Sequence, residues 1–285
     1  MIYEGQIYRP PSEHDAWILQ ASIGCSWNKC SYCEMYRDKE YRERPLPELL
    51  AEVAEAKKLL GPRLRKVFVA DGDALNMPLS TWEPLLAALR QSFPKLARIS
   101  AYAMASNVTE KSPEELRRLR QGGLSRLYLG PESGDDLVLR RIAKGSNAAE
   151  HIEAASRLRR AGIEQSVIFL LGAGGVERSQ EHAQASAELA TAMDPEFLAA
   201  LTLTLKPGTS IWNQYQRGRF RLPDSSMLLR ELRSFLAGAS PSNALFRSNH
   251  ASNHVVLGGR LPKDREQLLR GIDQLLSQER RWGDA

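Results

Sequence analysis

A chain of 285 residues, 42% of them hydrophobic, is long enough to bury a sizeable core, and it contains no apolar run of the length that spans a bilayer. Its net charge of +5 is interleaved on helix-like stretches such as Arg117-Arg118-Leu119-Arg120 and Arg157-Leu158-Arg159-Arg160, which reads more simply as solvated helix faces than as a nucleic-acid track. The first residues lack the charged-then-apolar layout of a secretory leader, and an odd cysteine count argues against a disulfide framework, so a reducing, cytoplasmic location is expected.

Strand-like and helix-like patterns alternate along the chain. Residues 17–23 read as a first strand, ending in a loop that holds all three cysteines, Cys25, Cys30 and Cys33. A helix over about 46–60 follows, with Pro47 near its start. Residues 66–70 form a second strand that ends in Asp71-Gly72-Asp73, and a helix runs through Leu85, Leu86 and Leu89. Residues 98–102 are a third strand, followed by a helix over about 113–121. Residues 126–129 are the fourth, feeding Gly130-Pro131-Glu132-Ser133-Gly134 and then two helices split near Gly145. Residues 165–171 are the fifth, running into a glycine cluster from Gly172 to Gly175 and a helix through Ala192. Residues 197–205 are the sixth, ending at Lys206-Pro207-Gly208-Thr209.

Six such units in series imply an α/β chain folded as a partial (β/α)6 TIM-type barrel, with a parallel sheet inside and helices outside. Residues 1–222 are expected to form this core. Residues 223–285 are expected to be a mainly helical C-terminal extension, with a polar interruption over 246–254, packing on the barrel. In parallel α/β folds the C-terminal strand ends form the working face. The cysteine loop is therefore expected to share an edge with Asp71, Glu132, the Gly172 cluster and Thr209.

Thiolate is a soft donor that suits zinc or iron–sulfur. Structural zinc wants four ligands, usually from paired knuckles, and here three cysteines have only His14 nearby. Three thiolates at the corners of a cubane cluster leave the fourth iron without a protein ligand, open to a substrate or cofactor. A zinc site and a plain thiol set stay as alternatives.

The compact loop resembles the radical S-adenosylmethionine (SAM) superfamily. The usual signature there has three and then two residues between cysteines, whereas this chain has four and then two. The resemblance implies that Tyr32, the aromatic before the last cysteine, contacts adenine. Asp71, Gly72 and Asp73 stand where the superfamily has a Gly-Gly-Glu-like element for the methionine amino group; carboxylates and carbonyls accept bonds from an ammonium, and a plain Asp-Gly turn is the other reading. Gly130 to Asp136, with Leu139 and Lys144-Gly145, looks like the Gly-x-Glu-Ser-Gly stretch of the branch containing oxygen-independent coproporphyrinogen oxidase-like proteins, as does Pro207-Gly208-Thr209. That likeness implies that Glu132 and Ser133 contact SAM, a helix-start carboxylate being the alternative for Glu132. The two ends, Tyr8 to Glu13 and Ser248 to Asn253, are similar to a small bacterial subgroup of radical SAM proteins. His250 and His254 are candidate proton carriers near pH 7, or equally satisfied structural histidines.

The resemblance implies a 4Fe–4S cluster on the three cysteines and SAM on its open iron. It also implies a 5′-deoxyadenosyl radical acting on an unidentified small-molecule substrate, with a low-potential electron donor such as flavodoxin or ferredoxin. With no further cysteines, an auxiliary cluster and sulfur insertion are not expected. No cobalamin domain or RNA-binding appendage is recognisable, and direct cobalamin binding by the barrel stays open. An RNA-modifying enzyme of the same family and a non-catalytic iron–sulfur or zinc protein are the alternatives; no membrane partner is expected.

Overall fold

The computed structural model describes residue 1 and residues 3–283. Residues 284 and 285, assigned from sequence to the C-terminal extension, lie outside the described residues, as does Ile2. In chain order the elements are β1 (Trp17–Gln20), β2 (Ser22–Ile23), β3 (Arg42–Glu43), α1 (Leu46–Leu60), β4 (Lys66–Ala70), α2 (Leu79–Ser92), β5 (Arg98–Ala103), α3 (Ala105–Thr109), α4 (Pro113–Gly122) and β6 (Leu124–Glu132). They continue as α5 (Asp136–Arg141), α6 (Ala148–Ala161), β7 (Glu164–Leu171), α7 (Gly175–Met193), β8 (Phe197–Thr202), α8 (Ser210–Gln216), α9 (Ser225–Gly238), β9 (Ala244–Arg247), β10 (Gly258–Leu261) and α10 (Arg265–Gly283). The fold is mixed α/β with mostly parallel strands, as the alternating pattern predicts.

Two compact units are distinguished. The first comprises residues 1–28, 35–129 and 156–165. In it β1 pairs parallel with β4, β4 with β5, and β5 with β6. Val67, Phe68, Val69 and Ala70 are all fully buried, the continuous apolar run of a strand covered on both faces. The helices lay one apolar stripe inward: Leu49, Val53 and Ala56 on α1; Trp82, Leu85, Leu86 and Leu89 on α2; Leu116 and Leu119 on α4. A capping box of Ser112 and Glu115 starts α4, and Gly123, at φ +116°, ends it.

The first predicted strand is interrupted. β1 ends at Gln20, and β2 leaves to pair antiparallel with β3, placing Ser22 opposite Glu43 and Ile23 opposite Arg42. This ribbon joins the chain just before the cysteines to the chain just after them.

The N-terminal motif is structural. The Ser12 hydroxyl lies 2.7 Å from the Tyr128 hydroxyl, which donates to Glu13 Oε1 at 2.7 Å, and Arg98 Nε lies 3.1 Å from the same oxygen. Burial, reinforced by the Glu13 charge, pushes the Tyr128 hydroxyl up to about 12. Phe68, Tyr102 and Tyr128 meet edge to face with centroids 5.0 to 6.0 Å apart.

The second unit comprises residues 29–34, 130–155 and 166–285. Here β7 pairs parallel with β8, β8 parallel with β9, and β9 antiparallel with β10. The C-terminal segment does contain helices α9 and α10, but it also carries β9, which overlaps the expected polar interruption over 246–254 only at residues 246–247, and β10, which lies beyond it in a stretch expected to be helical. Both strands are four residues long, too short for an alternation to register, and Gly258-Gly259-Arg260-Leu261 has few strand-forming residues. Phe235 of α9 packs against Phe169 of β7 with ring centroids 5.2 Å apart and the rings tilted by 50°. No helix among the described residues is long and apolar enough to cross a membrane.

Tyr128→Phe removes a donor from Glu13, whose carboxyl is wholly buried and whose Oε2 has no hydrogen-bond partner. We expect a loss of roughly 1–3 kcal/mol in unfolding free energy, read by urea denaturation.

Candidate cofactor site

In the first unit, the turn after β4 holds the start of the cysteine loop. Asp71 is fully buried, and its Oδ2 accepts from Gln20 Nε2 at 2.9 Å, Gly24 N at 3.1 Å and Lys39 Nζ at 2.9 Å. The Lys39 side chain is only 5% exposed and also donates to the Gln6 carbonyl at 2.7 Å. One carboxylate oxygen thus ties the chain before the cysteines to the chain after them, while Asp71 Oδ1 is buried without a hydrogen-bond partner.

Two residues on, Asp73 accepts from Ser26 N at 2.9 Å, from the Ser26 hydroxyl, and from the Cys25 thiol and the Asn107 side chain. Burial nonetheless raises the Asp73 carboxyl above the usual carboxylate range, these bonds opposing it. Gly72 donates to Gly24 O at 3.0 Å, and a Cβ on it would lie 2.7 Å from Cys25 Cβ and 2.9 Å from the Tyr36 ring. Only glycine allows this approach.

In the second unit, Cys30 and Cys33 flank one turn, with Cys33 N donating to Cys30 O at 3.2 Å. Ser31 N donates to Ile142 O at 2.8 Å, and Ile211 N donates to Ser31 O at 2.9 Å, so the turn hangs between the end of α5 and the start of α8. The half-buried Tyr32 packs on a cluster containing Leu139, Leu170 and Leu203. Desolvation, then the charges of Glu132, Cys30 and Cys33, raise its hydroxyl well above the ordinary tyrosine range, and it shares a hydrogen bond with Glu132.

Glu132 ends β6 in the left-handed region, at φ +68°, a conformation that costs a non-glycine residue of order 1 kcal/mol or more. Lys144 Nζ lies 3.3 Å from its Oε1. A Cβ on Gly130 would overlap that same carboxyl oxygen, so Gly130 lets the side chain fold back over the strand.

The donors comprise three soft thiols, a buried carboxylate oxygen with capacity to spare, and backbone kept open by glycine. This set fits an iron–sulfur cluster and an amino-acid-bearing cofactor. Among the described residues no three His, Cys, Asp or Glu side chains converge on one point as a single ion requires. A cubane instead places each thiolate on a separate iron.

Residues 19–185 match the family model of the radical SAM superfamily. The chain belongs to the radical SAM superfamily. This family uses a 4Fe–4S cluster and SAM.

Among curated relatives, the heme chaperone HemW of Bacillus subtilis is 24% identical over 200 residues, which is 68% of this chain and 52% of HemW. The mitochondrial radical SAM domain-containing protein 1 of Mus musculus is 27% identical over 265 residues, or 88% of this chain and 57% of that protein. The chain thus spans about half the length of the curated relatives it matches.

Solved structures show the same fold at low identity. Coproporphyrinogen III oxidase HemN from Escherichia coli has a TM-score of 0.57 at 16% identity, covering 78% of this chain and 51% of HemN. Methylornithine synthase PylB has a TM-score of 0.54 at 16% identity, covering 91% of this chain and 81% of PylB.

Within this radical SAM fold, sequence-predicted residues divide by what they touch. Tyr32 and Glu132 meet each other, and Asp71 to Asp73 meet the loop around Cys25. Ser133 is fully buried and lies 2.7 Å from His182 Nδ1. His250 Nδ1 accepts from Ser252 N at 3.1 Å inside its own turn, and burial lowers its pKa. That turn is stapled to the end of β8, where Thr202 N donates to Ser252 Oγ at 3.2 Å and Thr202 Oγ1 donates to Asn253 Oδ1 at 2.9 Å. His254 is exposed and borders a small cavity with Thr202 and Leu228. Lys39, His182 and Glu231 were not legible in the sequence: they meet Asp71, Ser133 and Gly172, each 32 or more positions away, which no local spacing reveals.

Gly72→Ala is expected to displace Cys25 and lower iron incorporation after reconstitution, at a stability cost of roughly 1–3 kcal/mol. Gly271→Ala, with its nearest neighbouring atom 3.8 Å away, should incorporate iron like the wild type. Burial, then the Lys144 charge, lowers His151 to about 3. The unfolded chain therefore binds a proton there below about pH 6.5 that the folded chain refuses, and stability falls as pH drops from 6.5 toward 3. His151→Asn should flatten the fall in urea midpoint between pH 7 and pH 5.

Proposed function

We propose that this chain is a radical SAM enzyme acting on a small molecule, with Cys25, Cys30 and Cys33 as the cluster ligands. The observation that carries the reading is the family match over residues 19–185, which includes all three cysteines in their nine-residue loop. When bound, the cluster and SAM supply one-electron cleavage and a 5′-deoxyadenosyl radical for hydrogen abstraction.

The chain's own part is to hold and orient. Asp71 and Asp73 fix the start of the loop, and the spare oxygen of Asp71 together with the Gly72 backbone receives the amino group of SAM. Tyr32 offers its ring to adenine, and its bond to Glu132 fixes the carboxylate that Lys144 also holds, ready for a ribose hydroxyl. Ser133 acts on SAM through the backbone it anchors. His254, exposed at the rim of its cavity, is the proton carrier on the substrate side, and His250 orders the turn that presents it. We assign residues 1–222 to the catalytic core and 223–285 to its extension, with a low-potential flavodoxin or ferredoxin as electron donor.

A second reading is favoured by the similarity to HemW: a haem-related binding role without turnover. Anaerobic reconstitution should give about four iron and four sulfide per chain. Dithionite and SAM should then yield 5′-deoxyadenosine, and Cys30→Ala should abolish it. A full cluster that leaves SAM intact, with stoichiometric haem binding, would replace the enzymatic reading by the chaperone-like one.

A further inference from the structure

Within the second unit, α7 grips the three residues after Glu132. Arg178 Nε donates to Asp135 Oδ2 at 2.8 Å, His182 Nδ1 lies 2.7 Å from Ser133 Oγ, and Gly134 N donates to Ser186 Oγ at 3.0 Å. The three grips recur every four residues, which in a helix is one stripe; Arg178 stands at a kink where φ is −131°. The fit is close, because a Cβ on Gly134 would overlap the Ala185 carbonyl.

The direction of the bonds follows from their donors. Asp135 N–H donates to Ser133 Oγ at 3.0 Å, so the serine hydroxyl is free to donate to His182 Nδ1. The other ring nitrogen, Nε2, then carries the proton, which it donates to the Leu170 carbonyl at 3.1 Å, with Glu231 Oε1 at 3.4 Å. Glu231 belongs to α9, is 1% exposed, and accepts from Gly172 N at 2.6 Å and from the Ser179 hydroxyl. A buried chain therefore runs from α9 through Glu231 and His182 to Ser133. Ser133 adjoins Glu132, which stands in the left-handed region at φ +68° and needs its neighbours held to stay there.

We infer that His182, backed by Glu231, is a positioning residue that fixes Ser133 and thereby aims the Glu132 carboxylate at SAM. The inference rests on the proposed role of Glu132. It makes α9, in the C-terminal segment, part of the cofactor site without touching the cofactor.

The test compares His182→Leu, His182→Asn and Glu132→Gln in the full chain. The amide Oδ1 of asparagine can replace Nδ1 as acceptor, and leucine cannot. Two quantities are read: SAM affinity of the reconstituted protein by equilibrium dialysis, and amide hydrogen exchange over residues 132–135 before reconstitution. His182→Leu should weaken SAM about tenfold and speed that exchange by a similar factor, and His182→Asn should restore most of both. The double variant His182→Leu/Glu132→Gln should bind SAM no more weakly than Glu132→Gln alone, because both act on one contact.

If Glu132→Gln weakens SAM while His182→Leu changes neither affinity nor exchange, the positioning role is overturned and the reading of Glu132 stands. If Glu132→Gln leaves SAM affinity unchanged, the reading of Glu132 fails and the positioning role falls with it. Should His182→Leu not fold, Ser133→Ala, which removes the hydroxyl that meets His182 Nδ1 at 2.7 Å, decides by the same two measures.

Discussion

The cysteine loop has no regular structure between β2 and β3 beyond two short turns, so its shape must be imposed from outside. In the first unit the wholly buried Asp71 carboxylate does this, taking bonds from Gln20, Gly24 and Lys39 on one oxygen. Charge-assisted bonds of this kind are stronger than neutral ones, and breaking a buried pair by removing one partner typically costs about 3–5 kcal/mol. The small ribbon of β2 and β3 closes the same loop by backbone pairing. The two devices act on the same two flanks, the chain just before Cys25 and the chain from Lys39 to Glu43.

Buried ionisable groups recur in both units, each paired in its own way. In the first, Glu13 meets Tyr128 and Arg98 and anchors the N-terminal segment to β5 and β6. In the second, burial lowers His182 to about 4 and raises Glu231 to about 7. These two shifts have opposite consequences for stability. The His182 contribution is present above the unfolded value near 6.5 and is lost as pH falls toward 4. A Glu231 carboxyl that holds its proton in the folded state contributes below its unfolded value near 4.5, and that contribution is lost as pH rises through about 7.

Much of the fold was legible in the sequence. The limits of α1 and β4 match the apolar pattern to the residue, because Pro45 and Gly61 bracket α1 and turn-forming Asp71-Gly72 ends β4. The cysteine loop and the Gly130–Gly134 stretch were legible for the same reason, since each is a short contiguous run with distinctive residues. β9 and β10 were not, because four-residue strands draw their stability from neighbours already in the sheet and leave no period of their own.

Sequence alone determined the donor chemistry: three soft thiols in one loop, acidic and glycine-rich turns after the strands, and a family whose cofactors are a 4Fe–4S cluster and SAM. Tertiary structure decided what each polar group is occupied with. It placed Lys39 on Asp71, set the Ser133 hydroxyl against His182, and tied His250 into its own turn. The physical reason is that hydrogen-bond capacity is finite and its partners lie tens of residues apart. A motif can name a carboxylate or a hydroxyl, but only the packed chain shows which of its lone pairs and protons are already spent.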